Sequence, residues 1–424
     1  MSEVDLRKQE RGMYGTLALT PRSLKDYVPV AGKDKIDELI QLAAPLRGLR
    51  VLNLSVTAFG TGLAELLRSS SPLLCDLGLD WRWQIVRADE EATQVNKMMY
   101  RALAGGRVEW TDETTEAWRR YTTMNAELLN EDFDVVVVHD LQPVAIRSYV
   151  ESQAARTRWI LHCHIDLSAA QPEVWDLLEG HAQRYDCWVF EDDSFVGKAQ
   201  ASVPLRVVPP AVDPLGPRNM ELSADAVADI LRRYGVDVDR PLISQVAPIS
   251  EDSDALGALE VYRLVKDKVP ELQMVMLATS PPDGEESYAY FERVVERAAD
   301  LADVHILSNL DDVGNVEINV VQRASRALMQ RALQRGFGIW LSDALWKETP
   351  VIAAPHGGIP KQVLHGRTGY LAATDEEFAS YILILLAEPD KARALGAAGR
   401  QHVADNFLIC RFLADYMHLL SEMS

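Results

Sequence analysis

The sequence predicts an α/β protein built from two doubly wound parallel sheets, one in each half of the chain. Apolar runs of about four to six residues alternate with helical patterns through almost all of the 424 residues, as is typical of parallel α/β folds. The alternation restarts after a proline-rich segment near 210–217. A chain of this length is also expected to form more than one domain.

The apolar runs give candidate strands in both halves, and their continuous Val, Ile and Leu content indicates burial on both faces of a sheet. The first-half candidates are RVLNL (50–54), WQIVR (83–87), DVVVVH (134–139), RWILHC (158–163), CWVFE (187–191) and LRVVPP (205–210). The second-half candidates are PLISQVA (241–247), LQMVMLA (272–278), VHILSN (304–309), RALMQ (326–330), PVIAAP (350–355) and GYLAA (369–373). Amphipathic patterns such as LAELLRSSSPLLCDLG (63–78) predict helices between them.

A domain boundary is expected where four prolines and a glycine fall within VPPAVDPLGPR (208–218), because this composition favours extended, turn-rich backbone. We expect an N-terminal Rossmann-like domain at 1–214, with a helix at about 406–424 packing back on it. A C-terminal Rossmann-like domain is expected at 215–405. Two such halves, a hinge and a terminal helix favour the GT-B architecture, in which the two domains face a central cleft. Two unrelated Rossmann-like domains are the alternative.

The composition limits the classes of partner. The formal net charge is −20 at pH 7, so we expect neither nucleic acid nor an anionic membrane as a partner. No apolar run approaches the roughly 20 residues that cross a bilayer. The polar start MSEVDLRKQERGMYG predicts a cytoplasmic protein rather than a secreted one. Small-molecule substrates are the expected partners, and homodimer formation is left open.

The cysteines and histidines do not have the spacing of a metal site. Cys75, Cys163, Cys187 and Cys410 are scattered without a CxxC pair, which indicates buried free thiols. The nine histidines show none of the usual metal-ligand spacings. The sequence therefore predicts neither a metal site nor a bound cofactor.

Polar residues follow several strands of the first half. In open α/β sheets the carboxyl ends of the strands are where ligands bind, and glycines at such an edge permit close backbone approach. Capping and turn formation at strand ends is the alternative role. The candidates for small-molecule binding are Gly60, Thr61, Gly62, His139, Asp140, Gln142, His164 and Asp166.

Glycine turns bracket a short helix and a strand in RGFGIWLSDALWKETPVIAAPHGG (335–358). Gly336 and Gly338 flank Phe337 before the helix, and Gly357 and Gly358 follow the strand. Backbone amides in such turns can contact phosphate groups whatever the neighbouring side chains are. The segment is therefore a candidate site for a phosphorylated ligand.

Six segments in order resemble the trehalose glycosyltransferring synthases, a branch of the retaining GT-B glycosyltransferases, and the resemblance extends from about residue 50 to 420. It implies transfer of a sugar from a nucleotide-activated donor, whose GDP, UDP or ADP moiety is undetermined, without a cofactor. The segments are AFGTGLAELL (58–67), VVVHDLQP (136–143), CHIDLS (163–168), VVPPAVDPLGPRNM (207–220), QRASRALMQRALQRGFGIWLSDALWK (322–347) and GGIPKQVLHGRTGYL (357–371).

The resemblance also implies roles for individual residues. It assigns the strand-end residues of the first half to binding of the acceptor substrate. Arg335, His164 and Asp166 are the candidates for catalytic residues. The residues assigned to donor binding are Ser250, Ser253, Gly336, Phe337, Gly338, Asp343, Gly357, Gly358 and Lys361.

The donor set departs from the family at four charged positions. Pro248 and Ser253 replace an arginine and a lysine that hold the donor diphosphate in the family. Arg335 and Asp343 replace two glutamates that contact the donor sugar and the ribose. Loss of one preorganised donor to a developing oxyanion typically costs about 2.7–4 kcal/mol, so ordinary catalysis would be weakened. Arg335 could return a cation to the phosphates.

The departures leave three functions open. We expect a retaining glycosyltransferase of specialised, antibiotic-type metabolism that acts on a thiol or amine, because a more reactive acceptor needs less charge stabilisation. S-glycosyl transfer to ergothioneine in lincosamide assembly is one example. A catalytically inactive sugar-binding, nucleotide-binding or scaffold protein is the first alternative. A trehalose-forming glucosyltransferase with a rearranged phosphate site is the second.

Overall fold

Each half of the chain forms a six-stranded parallel sheet, which confirms the predicted fold class. The chain divides into two units, Met1–Pro210 with Cys410–Ser424 and Ala211–Ile409. The limits expected from the sequence are 1–214 with 406–424, and 215–405. The computed structural model describes residues 16–129, 131–150, 156–197, 202–279, 285–308, 311, 313–331 and 336–423.

Strands form at all twelve candidate segments. The first sheet contains β1 (Arg50–Ser55), β2 (Asp80–Ile85), β3 (Val135–His139), β4 (Arg158–Cys163), β5 (Cys187–Phe190) and β6 (Leu205–Val207). The second contains β7 (Leu242–Ala247), β8 (Gln273–Ala278), β9 (Val304–Leu307), β10 (Ala327–Gln330), β11 (Val351–Ala353) and β12 (Gly369–Leu371). The candidate at 83–87 was placed too late, because β2 pairs with β1 from Asp80 to Ile85.

Both sheets are doubly wound, and each has one point at which the strand order reverses. The first sheet has the order β2-β1-β3-β4-β5-β6, and the second has the order β12-β11-β10-β7-β8-β9. The reversals lie between β1 and β3 and between β7 and β10. Ligands of open α/β sheets bind beside the carboxyl ends of the strands at such points.

Helices connect the strands within each unit. The longer helices among the described residues are α1 (Lys33–Ala43), α2 (Gly62–Asp76), α3 (Glu90–Leu103), α4 (Asp112–Glu127), α5 (Pro172–Ala182), α6 (Ala224–Arg233), α7 (Ala255–Lys266), α8 (Glu285–Ala299), α9 (Asn315–Ala324), α10 (Ile339–Trp346), α11 (Asp375–Ala387), α12 (Pro389–Asn406) and α13 (Ile409–Met423). Single-turn α-helices occur at Val28–Ala31, Ile146–Tyr149 and Ile359–Gln362. None of the helices in the described ranges is both long and apolar enough to span a bilayer.

The strands and helices follow from ordinary local chemistry. All residues of β3 are buried, as expected for a strand covered on both faces. Thr61 caps the N-terminus of helix α2, and its hydroxyl accepts a hydrogen bond from the Ala64 amide. Helix α13 packs within the first unit, where the Tyr416 ring lies edge-on to Trp81 with centroids 5.9 Å apart. These elements bring the polar strand ends of each sheet to one edge.

Candidate active site

A chain of hydrogen bonds crosses the carboxyl edge of the first sheet. His139, the last residue of β3, has its Nε2 3.0 Å from Asn53 Oδ1 of β1 and its Nδ1 3.0 Å from His164 Nε2. His164 follows β4, and its Nδ1 lies 2.8 Å from Glu191 Oε1, directly after β5. The strand-reversal point of the first sheet therefore holds a buried polar network that includes His139 and His164, and acceptor binding by these two residues stays a prediction.

The hydrogen-bond partners define the protonation of this network. Asn53 Oδ1 accepts from His139 Nε2, and Glu191 accepts from His164 Nδ1, so one additional proton joins the two facing ring nitrogens. Burial lowers the pKa of His139 well below its usual range. Burial also lowers the pKa of His164, but the Glu191 hydrogen bond and the Asp140 and Glu191 charges outweigh it and raise this pKa. The proton therefore belongs mainly to His164.

Asp140 has a strained backbone at the same edge. Its φ of +64° lies in the left-handed region, which is unfavourable for a residue other than glycine. Its Oδ1 accepts a hydrogen bond of 2.7 Å from the His164 amide, so the conformation positions the carboxylate beside the network. Burial raises the pKa of Asp140.

Gln142 and Asp166 have different surroundings. The Gln142 side chain is buried, and its Oε1 has no hydrogen-bond partner among the described residues. Acceptor binding by Gln142 stays a prediction. Asp166 Oδ1 accepts from the Ser168 amide at 2.8 Å, which is a local capping contact. Binding of the acceptor substrate by Asp166 stays a prediction.

The loop between β1 and α2 is exposed and contains an aromatic residue that the sequence analysis missed. Gly60 has a φ of +75°, Thr61 caps α2, and Gly62 is the first residue of that helix. Phe59 is 56% exposed, and the Arg68 guanidinium lies 5.0 Å from its ring centroid. An aromatic residue beside a glycine turn at a strand-reversal point is the signal that could have identified Phe59.

At the second sheet the loop after β7 is held by its own side chains. The Ser253 hydroxyl donates to the Ser250 carbonyl at 2.9 Å and accepts from the Ser250 amide at 3.2 Å. Asp254 caps α7, since its Oδ1 accepts from the Gly257 amide at 3.2 Å. A carboxylate therefore occupies the helix N-terminus at which a phosphate would otherwise be favoured.

A cation that the sequence analysis missed lies at the same edge. Arg331, directly after β10, contacts Asp254 Oδ2 at 2.7 Å and Asp375 Oδ1 at 2.8 Å. Its guanidinium also lies 4.9 Å from the Phe378 ring centroid. Two carboxylates therefore compensate the positive charge that stands at the strand-reversal point of the second sheet.

Two glutamine amides add neutral hydrogen-bonding groups at this point. Gln245 lies in β7 and Gln330 is the last residue of the neighbouring β10. Both side chains are buried, and both Oε1 atoms have no partner among the described residues. The pair offers acceptors for hydroxyl groups and no charge for a phosphate.

The glycine turns of the second unit pack closely together. The Gly358 amide donates to the Gly336 carbonyl at 3.1 Å, and a Cβ on Gly358 would lie 2.8 Å from Cδ2 of Phe337. Gly338 and Gly357 have φ values of +73° and +53°, which favour glycine. These close approaches explain why the turn segment needs its glycines.

The remaining predicted donor residues are placed less directly. Lys361 is exposed, and its backbone carbonyl accepts from His402 Nε2 at 2.8 Å. Arg335 lies outside the described residues, so its predicted role stays a prediction.

Asp343 faces the interior of the second unit. Its side chain is 3% exposed, its Oδ1 accepts from Asn219 Nδ2 at 2.7 Å, and its Oδ2 lies 3.5 Å from Arg218 Nη1. The Arg218 guanidinium stacks 4.2 Å from the Trp340 ring centroid. In this arrangement the carboxylate supports α10, and ribose binding by Asp343 stays a prediction.

A buried lysine joins the same network. Lys347 Nζ donates to Asn219 Oδ1 at 2.6 Å, to Gln322 Oε1 at 2.8 Å and to the Asp343 carbonyl at 2.9 Å. These three acceptors match the three protons of an ammonium group, whereas burial favours the neutral amine and lowers the pKa of Lys347 to about 7. Lys347 therefore connects the C-terminal end of α10 to Asn219 and Gln322.

Two family models match the chain. One describes the N-terminal domain of trehalose synthase and matches residues 53–197, and the other describes glycosyl transferases group 1 and matches residues 227–402. The first match falls within the first unit and the second match within the second unit.

Curated proteins are similar over nearly the whole chain. The trehalose synthase of Rubrobacter xylanophilus is 37% identical over 405 residues, which cover 95% of this chain and 97% of that protein. The trehalose synthase of Pyrococcus horikoshii is 32% identical over 404 residues, with the same coverage of 95% and 97%. These similarities confirm the resemblance drawn from the sequence motifs.

Solved structures share the fold at low sequence identity. A trehalose-6-phosphate synthase (OtsA) matches with a TM-score of 0.72 and 12% identity, covering 88% of this chain and 99% of that chain. The sucrose-phosphate synthase of Thermosynechococcus elongatus matches with a TM-score of 0.67 and 15% identity, covering 88% and 98%. At this identity the likeness concerns the fold alone.

Proposed function

Because this chain belongs to the family of trehalose synthase-like GT-B glycosyltransferases, we propose that it moves a sugar from a nucleotide-activated donor to a thiol or amine acceptor. The acceptor is a small molecule, and the anomeric configuration is retained. Sugar transfer itself follows from the family. The nucleotide donor, the retention and the acceptor atom are the proposed part.

The observation that carries the proposal is the compensated charge of Arg331. A leaving diphosphate needs preorganised positive charge, because negative charge builds on its oxygens in the transition state. Arg331 contacts Asp254 and Asp375, and the capping carboxylate of Asp254 would repel a diphosphate. The second unit therefore offers the leaving group less stabilisation than a free arginine and lysine pair would.

Weak stabilisation of the leaving group favours a stronger nucleophile. A sugar hydroxyl is a poor nucleophile at neutral pH, whereas a thiol or thione sulfur and a neutral amine react more readily. In the glycine turns at 336–338 and 357–358 the Gly358 amide donates to the Gly336 carbonyl, and Gln245 and Gln330 leave two buried amide oxygens without a partner among the described residues. Positioning would then supply much of the rate.

A competition between acceptors tests this function. The full chain is incubated with UDP-, GDP- and ADP-sugars and an equimolar mixture of glucose, a primary amine and a thione such as ergothioneine, and the products are identified by mass spectrometry. We expect a thioglycoside or glycosylamine to exceed the glucose product at least about tenfold, equivalent to about 1.4 kcal/mol in barrier height.

The other outcomes identify the alternatives. A disaccharide of the trehalose type as the main product would overturn the proposed acceptor and support a trehalose-forming glucosyltransferase. No product from any donor would support the non-catalytic alternative. Proton NMR of the anomeric centre distinguishes retention from inversion in whichever product forms.

A further inference from the structure

Three histidines meet at the carboxyl edge of the first sheet. His139 and His162 are directly opposite each other in β3 and β4, and His164 lies two residues after His162, directly after the end of β4. One ring nitrogen from each lies within 4.8 Å of the others, and all three side chains are largely buried. We refer to His139, His162 and His164 as the three-histidine cluster.

Each ring has one nitrogen held by an oxygen atom outside the cluster. His139 Nε2 bonds to Asn53 Oδ1 and His164 Nδ1 bonds to Glu191 Oε1, as described above. His162 Nδ1 bonds to the Tyr416 hydroxyl of α13. Asn53 is oriented by a bond from its amide nitrogen to the Arg82 carbonyl at 3.3 Å, so its oxygen faces His139.

The second nitrogen of each ring is left for the interior of the cluster. When the outer nitrogens carry the protons, His139 Nδ1 and His164 Nε2 present lone pairs to each other at 3.0 Å. His162 Nε2 is buried and has no partner among the described residues. In this arrangement the facing lone pairs repel, and a proton or a metal ion between them removes the repulsion.

We propose that the three-histidine cluster binds one divalent transition-metal ion of the zinc class through His139 Nδ1, His162 Nε2 and His164 Nε2. Neutral imidazole is a preferred ligand for such ions, and metal-bound histidines usually donate their other N–H to an oxygen atom. Asn53, Glu191 and Tyr416 supply three such oxygens. The metal replaces the shared proton, which leaves to solvent.

The geometry sets the coordination that is possible. Zinc–nitrogen bonds of about 2.0–2.1 Å place tetrahedral ligands about 3.3 Å apart. His139 Nδ1 and His164 Nε2 are already 3.0 Å apart, whereas His162 is stacked on His164 and its ring has to turn for its nitrogen to face the same ion. Three protein nitrogens leave a fourth position for a water molecule or a substrate atom. The site was not expected from the sequence, because His139 joins the His162-Cys163-His164 segment only through the pairing of β3 with β4.

Metal binding by the full chain tests the proposal directly. The protein is stripped with a chelator, dialysed and titrated with Zn²⁺ by calorimetry and with Co²⁺ by absorption spectroscopy. We expect one equivalent of each ion to bind, and Co²⁺ to give the visible d–d bands of a low-coordinate nitrogen site. Absence of stoichiometric binding would overturn the proposal and leave a proton as the shared cation.

Variants locate the ion. His162→Gln is expected to lower Zn²⁺ affinity at least about 100-fold, and Glu191→Gln about 10–100-fold, because a neutral amide replaces the carboxylate that accepts from His164 Nδ1. His418→Gln is the matched control, because His418 is exposed on the helix that carries Tyr416. Equal affinity of His162→Gln and His418→Gln would contradict the assignment.

A second variant tests the ligand set even if the His162→Gln protein does not fold. Tyr416→Phe keeps the buried ring and deletes only the hydroxyl that holds His162 Nδ1. It is expected to weaken Zn²⁺ binding about 10-fold, the lower end of the range typical of such outer contacts, and to shift the Co²⁺ spectrum. A Co²⁺ spectrum and affinity identical to those of the unmodified chain would contradict the proposed ligand set.

Discussion

Replacement of Arg331 by methionine is expected to lower the free energy of unfolding by about 3 kcal/mol, because it leaves two carboxylates without their shared cation. The Arg331 and Asp254 side chains are 12% and 20% exposed, so solvent screens their charges only in part. For a domain of this size the loss corresponds to a decrease in Tm of about 6–12 °C, measurable by calorimetry of the second unit's transition.

Arg293→Met is the matched control for this substitution. Arg293 pairs with Glu251 at 3.0 Å, but the two side chains are 56% and 76% exposed, so its loss is expected to cost less than about 1 kcal/mol. If Arg331→Met were as mild as Arg293→Met, the Arg331 guanidinium would not be committed to the two carboxylates. It would then be available to a diphosphate, and the reason for a strong nucleophile would be lost.

Replacement of Lys347 by methionine is expected to lower the free energy of unfolding by about 3 kcal/mol at pH 9, because buried acceptors around the amine lose their donor. The loss should depend on pH. Burial holds the pKa of Lys347 at about 7, below the roughly 10.4 of a lysine in the unfolded chain. Between these values the unfolded chain binds more protons, so the contribution of Lys347 to stability rises with pH.

The difference in unfolding free energy between the unmodified chain and Lys347→Met should therefore widen from about pH 7 to about pH 10. Urea unfolding at several pH values measures it, and Lys268→Met, which changes an exposed lysine, should run parallel to the unmodified chain. A difference that does not change with pH would mean that Lys347 stays an ammonium ion throughout. Its three hydrogen-bond acceptors would then outweigh its burial.

The sequence predicts the fold well because the features that decide it are local. Continuous apolar runs mark strands buried on both faces, and each predicted run contains a strand in the structure. The run predicted at 83–87 overlaps β2 only in part, because β2 extends from Asp80 to Ile85. Its start at Asp80 is determined by pairing with Arg50 of β1, which lies in a distant part of the chain. Strand limits of this kind depend on tertiary contacts.

The candidate site is less predictable, because its chemistry depends on partners far apart in the chain. The strand-end position of His139 and His164 followed from the motif, but the roles of Asn53 and Glu191 required the order of the strands. His162 and Tyr416 are 254 residues apart and meet through α13. Such pairs leave no spacing in the sequence.

The second unit shows the same limit. The resemblance to the family implied that Pro248 and Ser253 replace an arginine and a lysine. The sequence did not show that Arg331 lies at the same edge of the second sheet. Arg331 and Asp254 are 77 residues apart. Their contact is visible only after β10 is placed beside β7.

Thermal shift with activated sugars is the most direct test of the central claim that this chain uses a nucleotide-sugar donor. UDP-, GDP- and ADP-sugars are compared with the free nucleotides at millimolar concentration. We expect at least one nucleotide sugar to raise Tm, since a ligand at 100 times its Kd adds about 2.7 kcal/mol. A Tm unchanged by every nucleotide sugar would contradict the claim.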